Sequence, residues 1–178
     1  MHKRHVAALL VAAAALVFAA PARAGQPDSE AGLRAAIEEL LAAGKAGDAN
    51  KVEAIARGMV LPDHEAWFRR TFGAELAPKL AAEYEKLIAT LEKEFEGLLA
   101  QVIKENRTTV RIKSFRKADD PEANGNQKRA LRAMKTKVTL YSARLVRAED
   151  KVGGIHFYSF VHTGGAFRFL GKMKALGQ

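Results

Sequence analysis

Apolar residues recur at steps of three and four through the first part of the chain and at steps of two through the last part. Leu33, Ile37, Leu40 and Leu41 form a first helical stripe, with Asp28 or Ser29 placed to cap it and Gly44 placed to end it in a left-handed turn. Asp48 begins a second, short helix with Val52, Ile55 and Met59 inward, closed by Pro62. Asp63 begins a third, with Trp67, Phe68 and Phe72, stopped by Gly73. Pro78 fits the first turn of a fourth helix whose stripe runs Leu80, Tyr84, Leu87, Ile88, Leu91, Phe95, Leu98, Val102 and Ile103. At about 1.5 Å per residue that helix is roughly 40 Å long, with Gly97 as a place for a bend.

Near Asn106 the period changes. Thr108, Val110 and Ile112 alternate with Thr109, Arg111 and Lys113, as in a half-exposed strand. Residues 119–126 read as a loop, and residues 127–135 as one or two helical turns with Leu131 and Met134 inward. Further strands are expected at 138–147, 155–163 and 166–173, the last two joined by the hairpin signal Gly164-Gly165. Helices followed by an antiparallel meander predict an α+β domain, with N-terminal helices packed on a curved four-stranded antiparallel sheet. The helical part is expected over 28–106 and the sheet part over 107–175.

The first 24 residues read differently. A basic start, an apolar run from Val6 to Ala20 and Ala22-Arg23-Ala24 have the form of a cleaved signal peptide. The run is short for a membrane span, which needs about 20 residues. The expected location is the periplasm or the medium. Removing 24 of the 178 residues leaves 154, enough for one domain over 25–178 with one core. The chain has no cysteine, so disulfides, lipid attachment to cysteine and thiolate chemistry are excluded. Charge is uneven: residues 25–106 carry 10 basic and 15 acidic residues, and residues 107–178 carry 16 and 5. Such asymmetry marks either a partner-binding face or internal pairing between the two halves.

Two short motifs resemble the nuclear-transport-factor-2-like superfamily. Lys45-Ala46-Gly47-Asp48-Ala49-Asn50 is similar to its turn between the first helices, and Gly164-Gly165-Ala166-Phe167-Arg168-Phe169 to its final hairpin. The resemblance implies a cone-shaped α+β fold with a pocket between sheet and helices. It does not imply a reaction, since that superfamily holds both enzymes and binding modules. The order of helices before sheet is also similar in outline to periplasmic phospholipid carriers.

Candidate chemistry is sparse. His156 and His162 lie about 20 Å apart on one predicted strand, too far to share an ion, so no metal is expected; with no phosphate loop and no dinucleotide fingerprint, no cofactor is expected either. The acidic residues after Arg107 all fall in predicted loops, so the sheet offers no general base. Asp63 and His64 are the remaining catalytic candidates. Strict alternation puts His156, Tyr158, Phe160 and His162 on one face of the third strand, the candidate ligand-binding set, with Ile155, Phe157 and Val161 on the other. Arg129, Arg132 and Lys135 form a candidate basic face. Anionic lipid or an envelope polymer suits that face; nucleic acid does not, because few aromatics accompany the charges. The expected function is non-catalytic binding of a small apolar or amphipathic ligand or an envelope partner. The alternatives are a small lyase, isomerase or hydrolase, and an interaction module working through its basic face.

Overall fold

A computed structural model describes residues 25–150 and 152–177. The expected signal segment lies outside the described residues. Four helices come first: α1 (Glu30–Lys45), α2 (Ala49–Gly58), α3 (His64–Phe72) and α4 (Ala77–Lys104). Strand β1 (Thr109–Phe115), helix α5 (Gly125–Ala133), β2 (Leu140–Val146), β3 (Ile155–Thr163), β4 (Ala166–Phe169) and a 3-10 turn (Lys174–Leu176) follow. The strands pair in the order β1-β2-β3-β4, all antiparallel, in an open sheet. This is the α+β class that the change of period predicts. Among the described residues no helix is long and apolar enough to cross a membrane.

Local chemistry sets the helix ends. The Ser29 hydroxyl accepts the Gly32 N–H and the Asp48 carboxylate accepts the Lys51 N–H, as capping predicts. Asn124 and Gln127 form a reciprocal capping box at the start of α5. Two expectations need correction. Helix α1 runs past Gly44 to Lys45, and the left-handed residue is Gly47 (φ 69°). Asp63 does precede α3, but it is itself left-handed (φ 47°) and its side chain caps nothing.

The sheet separates two apolar clusters. On the inner face, Val110, Ile112, Tyr141, Ala143, Leu145, Phe157, Phe160 and Phe167 pack against α1, α2 and the second half of α4, through residues such as Ile37, Leu40 and Phe95. On the outer face, Phe115, Leu140 and Val161 pack against α3, α5 and the first turns of α4, through Trp67, Phe68, Leu80, Leu131 and Met134. Helices therefore cover part of both faces of the sheet. Helix α4 links the clusters: Leu80 and Tyr84 belong to the outer one, Leu91, Phe95 and Leu99 to the inner, and Leu87 packs against both.

Strand β3 departs from strict alternation. Tyr141 pairs with Phe160 but Ala143 pairs with Phe157, so β3 holds one extra residue between two successive inward positions of β2. Ser159 sits there at φ 62°. The bulge reverses the parity of the strand. Phe157, Phe160 and His162 face inward, whereas His156, Tyr158 and Val161 face outward. The set His156, Tyr158, Phe160 and His162 is thus not one face.

Candidate functional site

Helix α4 and the free end of the sheet leave a cleft between them. Strand β4 stops at Phe169, opposite Phe160, so the first residues of β3 have no neighbour on that side. The chain instead leaves β4 and turns back along α4 from Leu170 to Ala175. Glu83 holds it there: its two carboxylate oxygens accept the backbone N–H groups of Lys174 and Ala175 at 2.8 and 2.7 Å. Gly171 allows the close pass. It has φ 71°, and a Cβ on it would lie 2.8 Å from Leu87 Cδ2.

The resulting open cleft has a volume of about 970 Å3. One wall is the apolar stripe of α4: Leu80, Tyr84, Leu87, Leu91, Phe95 and Leu98. The other is Phe157, Phe169 and Leu170. Phe95 meets Phe157 and Phe169 at centroid distances of 5.4 and 5.6 Å, which closes the floor. Exposed lysines stand on the rim: Lys79, Lys86, Lys172 and Lys174. The rim carboxylates are engaged, Glu83 as described and Glu94 with the Thr90 hydroxyl. Burial pushes the Tyr84 phenol pKa up, although its oxygen accepts the Leu61 N–H at 2.7 Å.

The residues singled out in the sequence fall in different places. Phe160 is fully buried and packs at a tilt against Phe169, so it serves the core. A ring nitrogen of His162 lies 2.6 Å from the Gln26 carbonyl oxygen and its ring meets Phe167 edge-on, which ties the segment before α1 to the hairpin. His156 and Tyr158 stack on the outer face at 5.2 Å, and His156 also reaches the cleft. Burial and the nearby Arg144 lower the His156 pKa. Arg132 and Lys135 line a depression beside Phe72–Leu76, whereas Arg129 lines a separate one with Tyr158 and Lys172. The basic face is therefore divided.

Asp63 is exposed, and neither it nor His64 lines the cleft. His64 lies on the Tyr84 ring (5.2 Å) with its Nε2 3.8 Å from Glu85. His64, Glu65 and Glu85 have ligand atoms within 4.8 Å of one another, a grouping of two exposed carboxylates around one histidine. A second open groove of about 680 Å3 runs between α2 and α4, lined by Val52, Ala56, Ile88, Leu99 and Ile103. It brings together fewer aromatic and cationic groups than the cleft. Sequence reasoning assigns the cleft wall to ordinary core, because half of the α4 stripe is core; the rim lysines at 172 and 174 carry no signal that ties them to α4. Compared with protein-family models, with curated proteins and with solved structures, this chain matches none.

Proposed function

We propose that this protein binds a single-chain amphipathic anion in the cleft between α4 and the free end of the sheet. One observation carries the reading: a trough of leucine and phenylalanine side chains beneath a rim of four exposed lysines. The volume falls within the roughly 300–1,000 Å3 of small-molecule sites. An alkyl chain laid along the floor removes apolar surface from water, worth about 25 cal/mol per Å2. An acid group at the mouth meets the lysines. The same reading places the protein outside the cytoplasm, on the form of residues 1–24, and treats the cleft as the counterpart of the sheet–helix pocket implied by the nuclear-transport-factor-2-like resemblance. Binding is favoured over catalysis because, among the described residues, the carboxylates that line the cleft already accept hydrogen bonds, Glu83 from two backbone N–H groups and Glu94 from the Thr90 hydroxyl.

Calorimetric titration tests this with dodecanoate, dodecanol and acetate. Dodecanoate should bind saturably and best, dodecanol more weakly and acetate not at all. Leu87→Asp should weaken dodecanoate at least about tenfold, since a charge would then sit in the apolar wall. The absence of saturable dodecanoate binding, or an unchanged affinity in Leu87→Asp, overturns the assignment.

A further inference from the structure

The outer face of the sheet carries a row of basic side chains, of which Arg111 donates to the Asp150 carbonyl oxygen. Arg111 of β1 stands opposite Arg144 of β2, and Arg144 stands opposite His156 of β3. With strands about 4.8 Å apart, the row spans about 10 Å. Arg111 and Arg144 are like charges directly opposite each other, which is destabilising on a sheet. Beside the row, Tyr158 stacks on His156 with the rings 18° from parallel, and Lys172 Nζ lies 5.9 Å from the Tyr158 centroid. Arg129 of α5 joins Tyr158 and Lys172 around a shallow hollow of about 290 Å3. Among the described residues, Arg129, Arg144 and Lys172 make no ion pair with a carboxylate. Lys113, on the same face, does pair with Glu122. Val152 follows the row in the turn between β2 and β3; at 80% exposure it is the exposed large apolar side chain among the described residues.

From this we infer that the outer sheet face docks on an anionic phospholipid bilayer, with the mouth of the α4 cleft turned toward the headgroups. Arg144 on the sheet, Arg129 and Lys172 beside it, and an apolar tip at the neighbouring turn match a surface that offers both negative charge and an acyl layer. A soluble polyanion would give Val152 no role. His156 and Lys172 border both the face and the cleft, so docking on one brings the other to the lipid. The docking stands on the cations and Val152 alone; the orientation of the cleft rests on the ligand reading above.

Co-sedimentation of the full chain with two vesicle types is the test: phosphatidylcholine alone, and phosphatidylcholine with an equal part of phosphatidylglycerol. Binding is expected on the second type only. It should fall between about 0.1 M and about 1 M salt, as the screening length drops from about 10 to about 3 Å. Each basic residue near such a surface contributes roughly fivefold, so the double variant R129E/R144E should bind at least about 25-fold more weakly. Val152→Glu should also weaken binding, and the reversal R70E/R132E/K135E, away from the row, should not remove it. R144E should unfold no earlier than wild type, because it replaces a repulsion with an attraction. Equal binding to both vesicle types, an unchanged R129E/R144E, or capture by inorganic polyphosphate without vesicle binding overturns the inference. The two assignments fail separately: R129E/R144E should still bind dodecanoate, and Leu87→Asp should still bind anionic vesicles.

Discussion

Ser159 sits in the middle of a strand with a left-handed backbone, and its hydroxyl has no hydrogen-bond partner. For an L-residue that conformation costs about 1–2 kcal/mol, and glycine escapes most of it. Glycine also loses about 0.5–1 kcal/mol through the freer unfolded chain. Ser159→Gly should therefore raise the denaturation midpoint by the equivalent of up to about 1 kcal/mol, and a clear loss would mean that the hydroxyl is used. Gly32 is the opposite case. Alanine is the better helix former by about 1 kcal/mol, but a Cβ here would lie 2.0 Å from the Pro27 carbonyl oxygen. Overlap of that kind typically costs about 1–3 kcal/mol, so Gly32→Ala should destabilise. Protonation gives a third test. Folding lowers the His156 pKa, so its share of stability is complete above its unfolded value of about 6.5 and is lost as pH falls through the folded value. His156→Gln should flatten the acid side of a stability–pH profile. Tyr141 runs the other way: burial, then its hydrogen bond to Asp28, push its pKa up to about 12. Its contribution is present below pH about 10 and fades as pH rises toward that value, which ultraviolet difference titration will register.

At the scale of elements, much was legible because each helix buries one stripe. The steps through Leu33, Ile37 and Leu40, and from Leu80 to Val102, reproduce α1 and α4, and both stripes line the clusters. Helix α3 followed from Trp67, Phe68 and Phe72. Trp67 is 6% exposed and meets Phe68 edge-on, so Trp67→Ala should cost about 3–5 kcal/mol by thermal or denaturant unfolding. The failures have physical causes. A serine gives no local sign that it will turn left-handed, so the bulge in β3 was invisible, and strict alternation misassigned Phe160 and His162. Gly44 and Gly47 are equally good helix stops by residue type; Leu99 of α4 approaches Gly44, a tertiary contact that rewards a small residue there without ending the helix. The candidate site was least legible. Leu87 and Gly171 lie 84 positions apart in sequence and meet only because Glu83 pins the C-terminal turn.

At the scale of the whole molecule, α4 is the organising element. At 28 residues it spans about 40 Å, enough to pack in one cluster, pass the free end of the sheet and pack in the other. The cleft lies where it passes. The charge asymmetry has the same geometric basis: the acidic half supplies α1 to α4 and the basic half the sheet and α5, and among the described residues Arg129, Arg144 and Lys172, near the cleft mouth, make no ion pair with a carboxylate. Native mass spectrometry of the protein purified from its host under non-denaturing conditions tests ligand binding most directly. The account predicts an added mass of an amphipathic anion on wild type that disappears in Leu87→Asp. Wild type that emerges without ligand, and takes up no dodecanoate when it is supplied, would contradict it.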